Sequence, residues 1–174
     1  VLGRPDLASK GQLTIVPGGP PNILDRLQPI FDVLGKQTLI AGDEPQTATA
    51  VKIANNFVLG CAIEVIGESM SLVRKFGVNP AMFQQVLTDG LFGSPAYQIY
   101  GQIIVDEAYE KVGASVHIGL KDANLALAAG EAVDVPLPCV NVMRDRLLGA
   151  KAHGEGDLDW AVMAREQARA SGLE

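Results

Sequence analysis

Cysteine is scarce in this chain of 174 residues: there are two, Cys61 and Cys139, far apart and in apolar surroundings. Both read as small core residues of a protein from a reducing compartment, and neither a disulfide framework nor a metal site is expected of them. Aromatic residues are few, with one Trp, three Tyr and five Phe. That is too few for the stacking platform that single-stranded nucleic acid requires. Cations are outnumbered, with 14 Lys and Arg against 20 Asp and Glu and a net charge of -6. No basic stripe is left for a nucleic-acid backbone. The apolar run Ile53 to Ile63 holds two Asn and a Gly and is too short to span a bilayer. No initiator Met, signal peptide or targeting motif is present.

What remains is 48% hydrophobic and 20% charged, enough apolar material for a sizeable core and unlike a disordered chain. The expected class is a soluble, acidic, cytoplasmic globular protein. Val1-Leu2-Gly3-Arg4-Pro5 enters directly as an apolar, strand-like segment, as if a preceding portion were absent. Leu13-Thr14-Ile15-Val16 is a short β-type run stopped by the turn cluster Pro17 to Pro21. Asn22 can then cap a helix from Ile23 to Leu34, stopped by Gly35, and Gln37 to Ala41 returns as a second β-type run. Strand, helix, strand is one crossover unit, which buries its faces only inside a larger sheet. Residues 1–42 are therefore expected to be the tail of an α/β domain.

From Asp43 the character changes. Asp43 is placed to cap a helix with Pro45 in its first turn, and the pattern predicts about 30 helical residues through Gln46 to Phe76, closed by Gly77. A typical helix has about 11–12. Further helices are expected over Pro80 to Leu87, Ala96 to Glu110, Gly119 to Val133, Pro138 to His153 and Leu158 to Ala170. The predicted fold is mainly α: an all-helical domain over 43–174, built around a long central helix and preceded by the last β-α-β unit of an α/β domain.

Between Pro45 and Ile63 the only charged residue is Lys52, with Asn55 and Asn56 three and four positions on. Helical spacing puts Lys52 and Asn56 on one face. A lone ammonium beside amides in an apolar setting tends toward a lowered pKa and can exchange protons with a ligand. The competing reading has Lys52 reaching out to water along its aliphatic stem. Lys121 stands beside Asp122, either as a site cation or as a solvent-facing lysine at a helix start. Gly3 and Arg4 can offer a backbone N–H and a guanidinium to an anion.

Other candidates carry less. His117 and His153 lack partners at metal-ligand spacing, so no metal is expected. Ser69, Ser71 and Ser94 lack a nucleophile-elbow context, and Glu155, Asp157 and Asp159 lack the rest of a calcium loop. No G-x-G-x-x-G follows a strand, so the chain carries no dinucleotide fingerprint. Glu64 and Glu68 form a like-charged pair one turn apart with no chemistry assigned.

Four segments together resemble the β-hydroxyacid dehydrogenase family, which includes 3-hydroxyisobutyrate dehydrogenases and glyoxylate and succinic semialdehyde reductases. They are Gly11-Gln12-Leu13 through Pro17-Gly18-Gly19, Lys52-Ile53-Ala54-Asn55-Asn56, Glu68-Ser69-Met70 ahead of Gly77-Val78, and Gly119-Leu120-Lys121-Asp122 followed by Leu125-Ala126-Leu127-Ala128. The resemblance implies an N-terminal Rossmann domain that binds NAD or NADP, here lacking its fingerprint, a long helix into an all-helical domain, and an active site in the cleft between the two. By position, Lys52 resembles the general acid/base and Asn56 the residue that holds the substrate, with Asn55 in support. Lys121 and Asp122 resemble the pair at the nicotinamide edge, and Gly3 the backbone contact to a substrate carboxylate. Implied partners are a small carbonyl or hydroxy-acid substrate and a second copy of the chain, as a homodimer or larger homo-oligomer through the helical domain. Many members carry Ser-Gly-Gly where this chain has Leu2-Gly3-Arg4, and Gly-x-Gly where it has Gln46-Thr47-Ala48. Related imine reductases replace the lysine with Asp or Tyr, whereas Lys52 is retained here. Imine reduction and a non-catalytic dimerisation module stand as the alternatives.

Overall fold

The computed structural model describes residues 1–3 and 5–173. Its contacts group the chain into two compact units, Val1–Asn55 and Asn56–Glu174.

The first unit opens with α1 (Pro5–Ala8), β1 (Leu13–Ile15), α2 (Pro21–Leu34) and β2 (Gly35–Thr38). The strands pair in parallel, Leu13 opposite Gly35, Thr14 opposite Gln37 and Ile15 opposite Thr38, with a register shift after Leu13. Parallel neighbours need a crossover, and α2 supplies it. The expected β-type run at 37–41 begins two residues earlier, because helix hands over to strand without a loop. Gly35 makes this possible: a Cβ there would sit 2.5 Å from the Leu13 carbonyl. Pairing continues past the strands through Leu39 N–H to Ile15 O at 2.9 Å and Ala41 N–H to Pro17 O at 2.8 Å.

Asn22 is not the cap of α2. The helix starts at Pro21 with Pro20 before it and no side-chain cap. Pro21 has no N–H to leave unpaired at the helix start, and its fixed φ suits the first helical position. The strand-like start is limited to one antiparallel bridge between Leu2 and Thr14, because α1 begins at Pro5. Ile15 and Leu24 are buried, yet Ile30, Val33, Leu39 and Ile40 are exposed.

The long helix α3 (Pro45–Lys75) runs from the first unit into the second, and Gly77, at φ 76°, follows its end. By length and composition it could cross a membrane, with a mean hydropathy of 1.4 over an 18-residue window, so the short run at 53–63 does not by itself exclude a span. Most of that window is uncovered in this chain, while Ile63, Ile66 and Met70 are buried inside the second unit. Gly67 lies against the last helix, where an added Cβ would sit 2.9 Å from Ala164 Cα.

The second unit continues with α4 (Pro80–Asp89), α5 (Pro95–Val105), α6 (Val116–Glu131), α7 (Pro138–Ala152), a 3-10 turn at Trp160–Val162, and α8 (Met163–Ala170). Asn79 caps α4, its side chain accepting from Ala81 N–H at 2.8 Å. α5 stops five residues before the expected end, since Glu107 takes a left-handed φ of 49°. α6 starts three residues earlier than expected, at Val116, which is fully buried. The expected helix from Leu158 is broken at its start by Asp159. This buried carboxylate accepts from Gly113 N–H at 2.7 Å, Ala114 N–H at 3.3 Å and Ala161 N–H at 3.0 Å. Three donors on one carboxylate repay its burial. Val140, Met143, Leu147, Val162 and Met163 complete the core.

Candidate functional site

Within the second unit, Asn56, Lys121 and Asp122 come together. Asn56 lies on α3, whose polar residues here are Asn55 and Asn56, and Lys121 and Asp122 lie in the second turn of α6. The Asn56 side-chain amide donates to Asp122 Oδ2 at 2.8 Å. Lys121 Nζ donates to Asp122 Oδ1 at 2.6 Å. One carboxylate thus holds an amide and an ammonium 65 residues apart in sequence through its two oxygens. Its side chain is 11% exposed, against 59% for that of Lys121. The arrangement fixes an amide and holds an ion-paired ammonium at the solvent edge.

In the first unit, Lys52 is exposed, and its Nζ donates to the Val1 carbonyl at 3.4 Å. The apolar enclosure expected around it is not formed by the described residues, because the neighbouring Val51 and Ala54 are themselves exposed. Asn55 is exposed on the same helix. Gly3 lies two residues from the Lys52 contact, at φ 144°, where a Cβ would meet Leu13 Cδ2 at 2.6 Å. Only glycine suits that backbone conformation and that approach. The Arg4 guanidinium lies outside the described residues.

Two further acidic features were visible but unassigned. Glu64 on α3 is 4% exposed. Burial pushes its carboxyl up to about 7 against the Nε hydrogen bond and charge of Arg146, with Glu68 adding to the rise. Its Oε1 accepts from Arg146 at 2.9 Å, while Oε2 is buried without a hydrogen bond. Glu155 is held below the usual carboxylate range: burial raises it, and hydrogen bonds from Arg169 and Arg165 outweigh that. The cysteines are not core residues, since Cys139 is exposed and Cys61 half-buried. Among the described residues no group of three or more His, Cys, Asp and Glu is placed to hold a metal ion.

Residues 47–166 match the sequence profile of a family described as the NAD-binding domain of NADP-dependent 3-hydroxyisobutyrate dehydrogenase. The chain belongs to that family. The uncharacterized oxidoreductase YfjR of Bacillus subtilis is 39% identical over 165 residues, covering 95% of this chain and 57% of that protein. The 2-hydroxy-3-oxopropionate reductase of Escherichia coli is 27% identical, covering 91% of this chain and 53% of its own length. The crystal structure of 3-hydroxyisobutyrate dehydrogenase from Salmonella typhimurium superposes with a TM-score of 0.85 at 25% identity, covering 95% of this chain and 57% of that one. This chain therefore has the mainly helical fold expected of the C-terminal part of a 3-hydroxyisobutyrate dehydrogenase. It spans a little over half the length of these relatives.

Proposed function

We propose that the protein carrying this chain is an NAD(P)-dependent oxidoreductase that interconverts a small carbonyl compound and its hydroxy acid, with Lys52 as general acid/base. The observation that carries the reading is the joining of Asn56 and Lys121 by Asp122, one helical turn along α3 from Lys52. Reduction puts negative charge on the carbonyl oxygen, and a positioned ammonium both stabilises that charge and supplies its proton. In the reverse direction a neutral Lys52 takes the hydroxyl proton. Asn56 holds the substrate beside it, Asn55 supports that contact, and the Gly3 backbone meets the substrate carboxylate.

NAD or NADP supplies or accepts the hydride. Lys121, fixed by Asp122 and open to solvent, is the group of this chain suited to the nicotinamide edge, and the sequence holds no phosphate-binding glycine fingerprint of its own. The proposal therefore assigns residues 1–42 to the end of a cofactor domain and residues 43–174 to the helical domain. Exposed Ile30, Val33, Leu39 and Ile40 would be covered by the rest of that cofactor domain, and this chain alone would not turn over. Pairing with a second copy is part of the proposal. Val58, Val65 and Leu72 are exposed at seven-residue intervals along α3, the spacing of a helix-to-helix seam.

The test is NADH and NADPH oxidation by the intact protein against a panel of small aldehydes and keto acids. Turnover with a carboxylated carbonyl is expected. Silence against every carbonyl would contradict the reading, and turnover only with added amine would assign imine reduction instead.

A further inference from the structure

We propose that Cys61 and Cys139 are an oxidisable dithiol, closing to an intramolecular disulfide that ties α3 to α7. The two thiols come from different helices and line one cavity of about 180 Å³ with Glu64, Val65, Glu68 and Val142. A side chain of α7 reaches the α3 backbone beside them. Gly60, adjacent to Cys61, leaves no room for a Cβ against the thioether of Met143, and Met143 is one turn from Cys139 on α7. A disulfide needs Cα atoms within about 7 Å, so closing the bond would draw the two backbones to that separation across the shared cavity. The Cys61 thiol also senses Cys139. Burial pushes Cys61 up to about 11, and the next contribution is the charge of Cys139, ahead of that of Glu64 one turn along the same helix.

The exposures set the order of events. Cys139, exposed near the start of α7, meets the oxidant, while Cys61 stays protonated and half-buried as the resolving thiol. With a disulfide such as oxidised glutathione, the Cys139 thiolate attacks one sulfur and releases one glutathione thiolate. Cys61 then loses its proton to water and attacks the Cys139 sulfur, expelling the second thiolate. Two protein thiols are oxidised to one cystine and one glutathione disulfide is reduced to two thiols. The closed loop is long, so the bond constrains the unfolded chain strongly.

The intact protein would be incubated with oxidised glutathione, quenched with N-ethylmaleimide, digested without reductant and mapped by mass spectrometry. The expected result is a linked Cys61–Cys139 peptide with both thiols lost together, restored by dithiothreitol, and a melting temperature raised by roughly 5 °C or more. Cys61→Ser and Cys139→Ser should each abolish the link and the shift. Both cysteines remaining open to alkylation would overturn the proposal. So would glutathione persisting on Cys139 with Cys61 free, or a crosslink found only between chains.

Discussion

Asp122 holds two side chains at once, and its removal separates positioning from folding. Asp122→Ala leaves the Asn56 amide and the Lys121 ammonium without their shared acceptor. Hydrogen bonds to charged groups contribute about 1.5–3 kcal/mol to stability, so the melting temperature should fall by several degrees, and kcat/KM of the intact protein, measured well below that temperature, should fall roughly 10- to 100-fold. A loss of folding in step with activity would make Asp122 a structural residue only. The two halves of this network differed in how they could be read. Lys121 beside Asp122 is visible in sequence because they are adjacent. Their link to Asn56 is not, because helical periodicity carries no information about which turn of α6 meets which turn of α3. The exposure of Lys52 was equally hidden, since a stretch with one charge in nineteen residues, such as 45–63, looks the same whether its apolar residues are covered or open. Glu64 gives a second test. Its folded pKa of about 7 lies above the ordinary 4.5, so between those values the folded state binds the extra proton and stability falls as pH rises. The penalty is absent below about pH 4.5 and complete above pH 7. Glu64→Gln should therefore raise the melting temperature at pH 8 and leave it close to wild type at pH 5. An equal effect at both would refute the shift.

Among the elements, α3 was the most legible. Proline at its start, glycine after its end and few charges between predict 31 helical residues almost to the residue. Ends set by tertiary contacts were not. α5 is cut short by a left-handed Glu107, α6 extends back to bury Val116, and the 3-10 turn at Trp160–Val162 forms because buried Asp159 caps it. The core role expected for both cysteines failed for a related reason, since apolar neighbours in sequence do not decide which face of α3 or α7 is covered. Close approaches of α3 are a property of its glycines. At Gly67 an added side chain would meet the α8 backbone at Ala164, which cannot yield as a flexible side chain can. Gly67→Val should destabilise the protein by about 1–3 kcal/mol or more, whereas Val58→Ala on the exposed face should change the monomer by less than about 0.5 kcal/mol. Chemical denaturation separates the two, and equal costs would contradict the packing described here.

As a whole, the molecule combines a parallel strand pair, too small to cover its own faces, with a helical unit that has a full core. The fold class was legible because period-two and helical patterns are segregated along the chain rather than mixed. The membership in the 3-hydroxyisobutyrate dehydrogenase family agrees with the motifs around Lys52 and Lys121. If α3 pairs with a second copy, Val65→Lys should shift sedimentation toward the monomer at low concentration, and an unchanged profile would remove that face from the interface. The central claim is that Lys52 moves the proton. Its most direct test is nicotinamide oxidation by the intact protein, comparing wild type with Lys52→Ala, with and without added ethylamine. The account predicts a fall of about 10²- to 10⁴-fold in kcat, unchanged folding, and partial rescue by the amine. Turnover indifferent to Lys52 would contradict it.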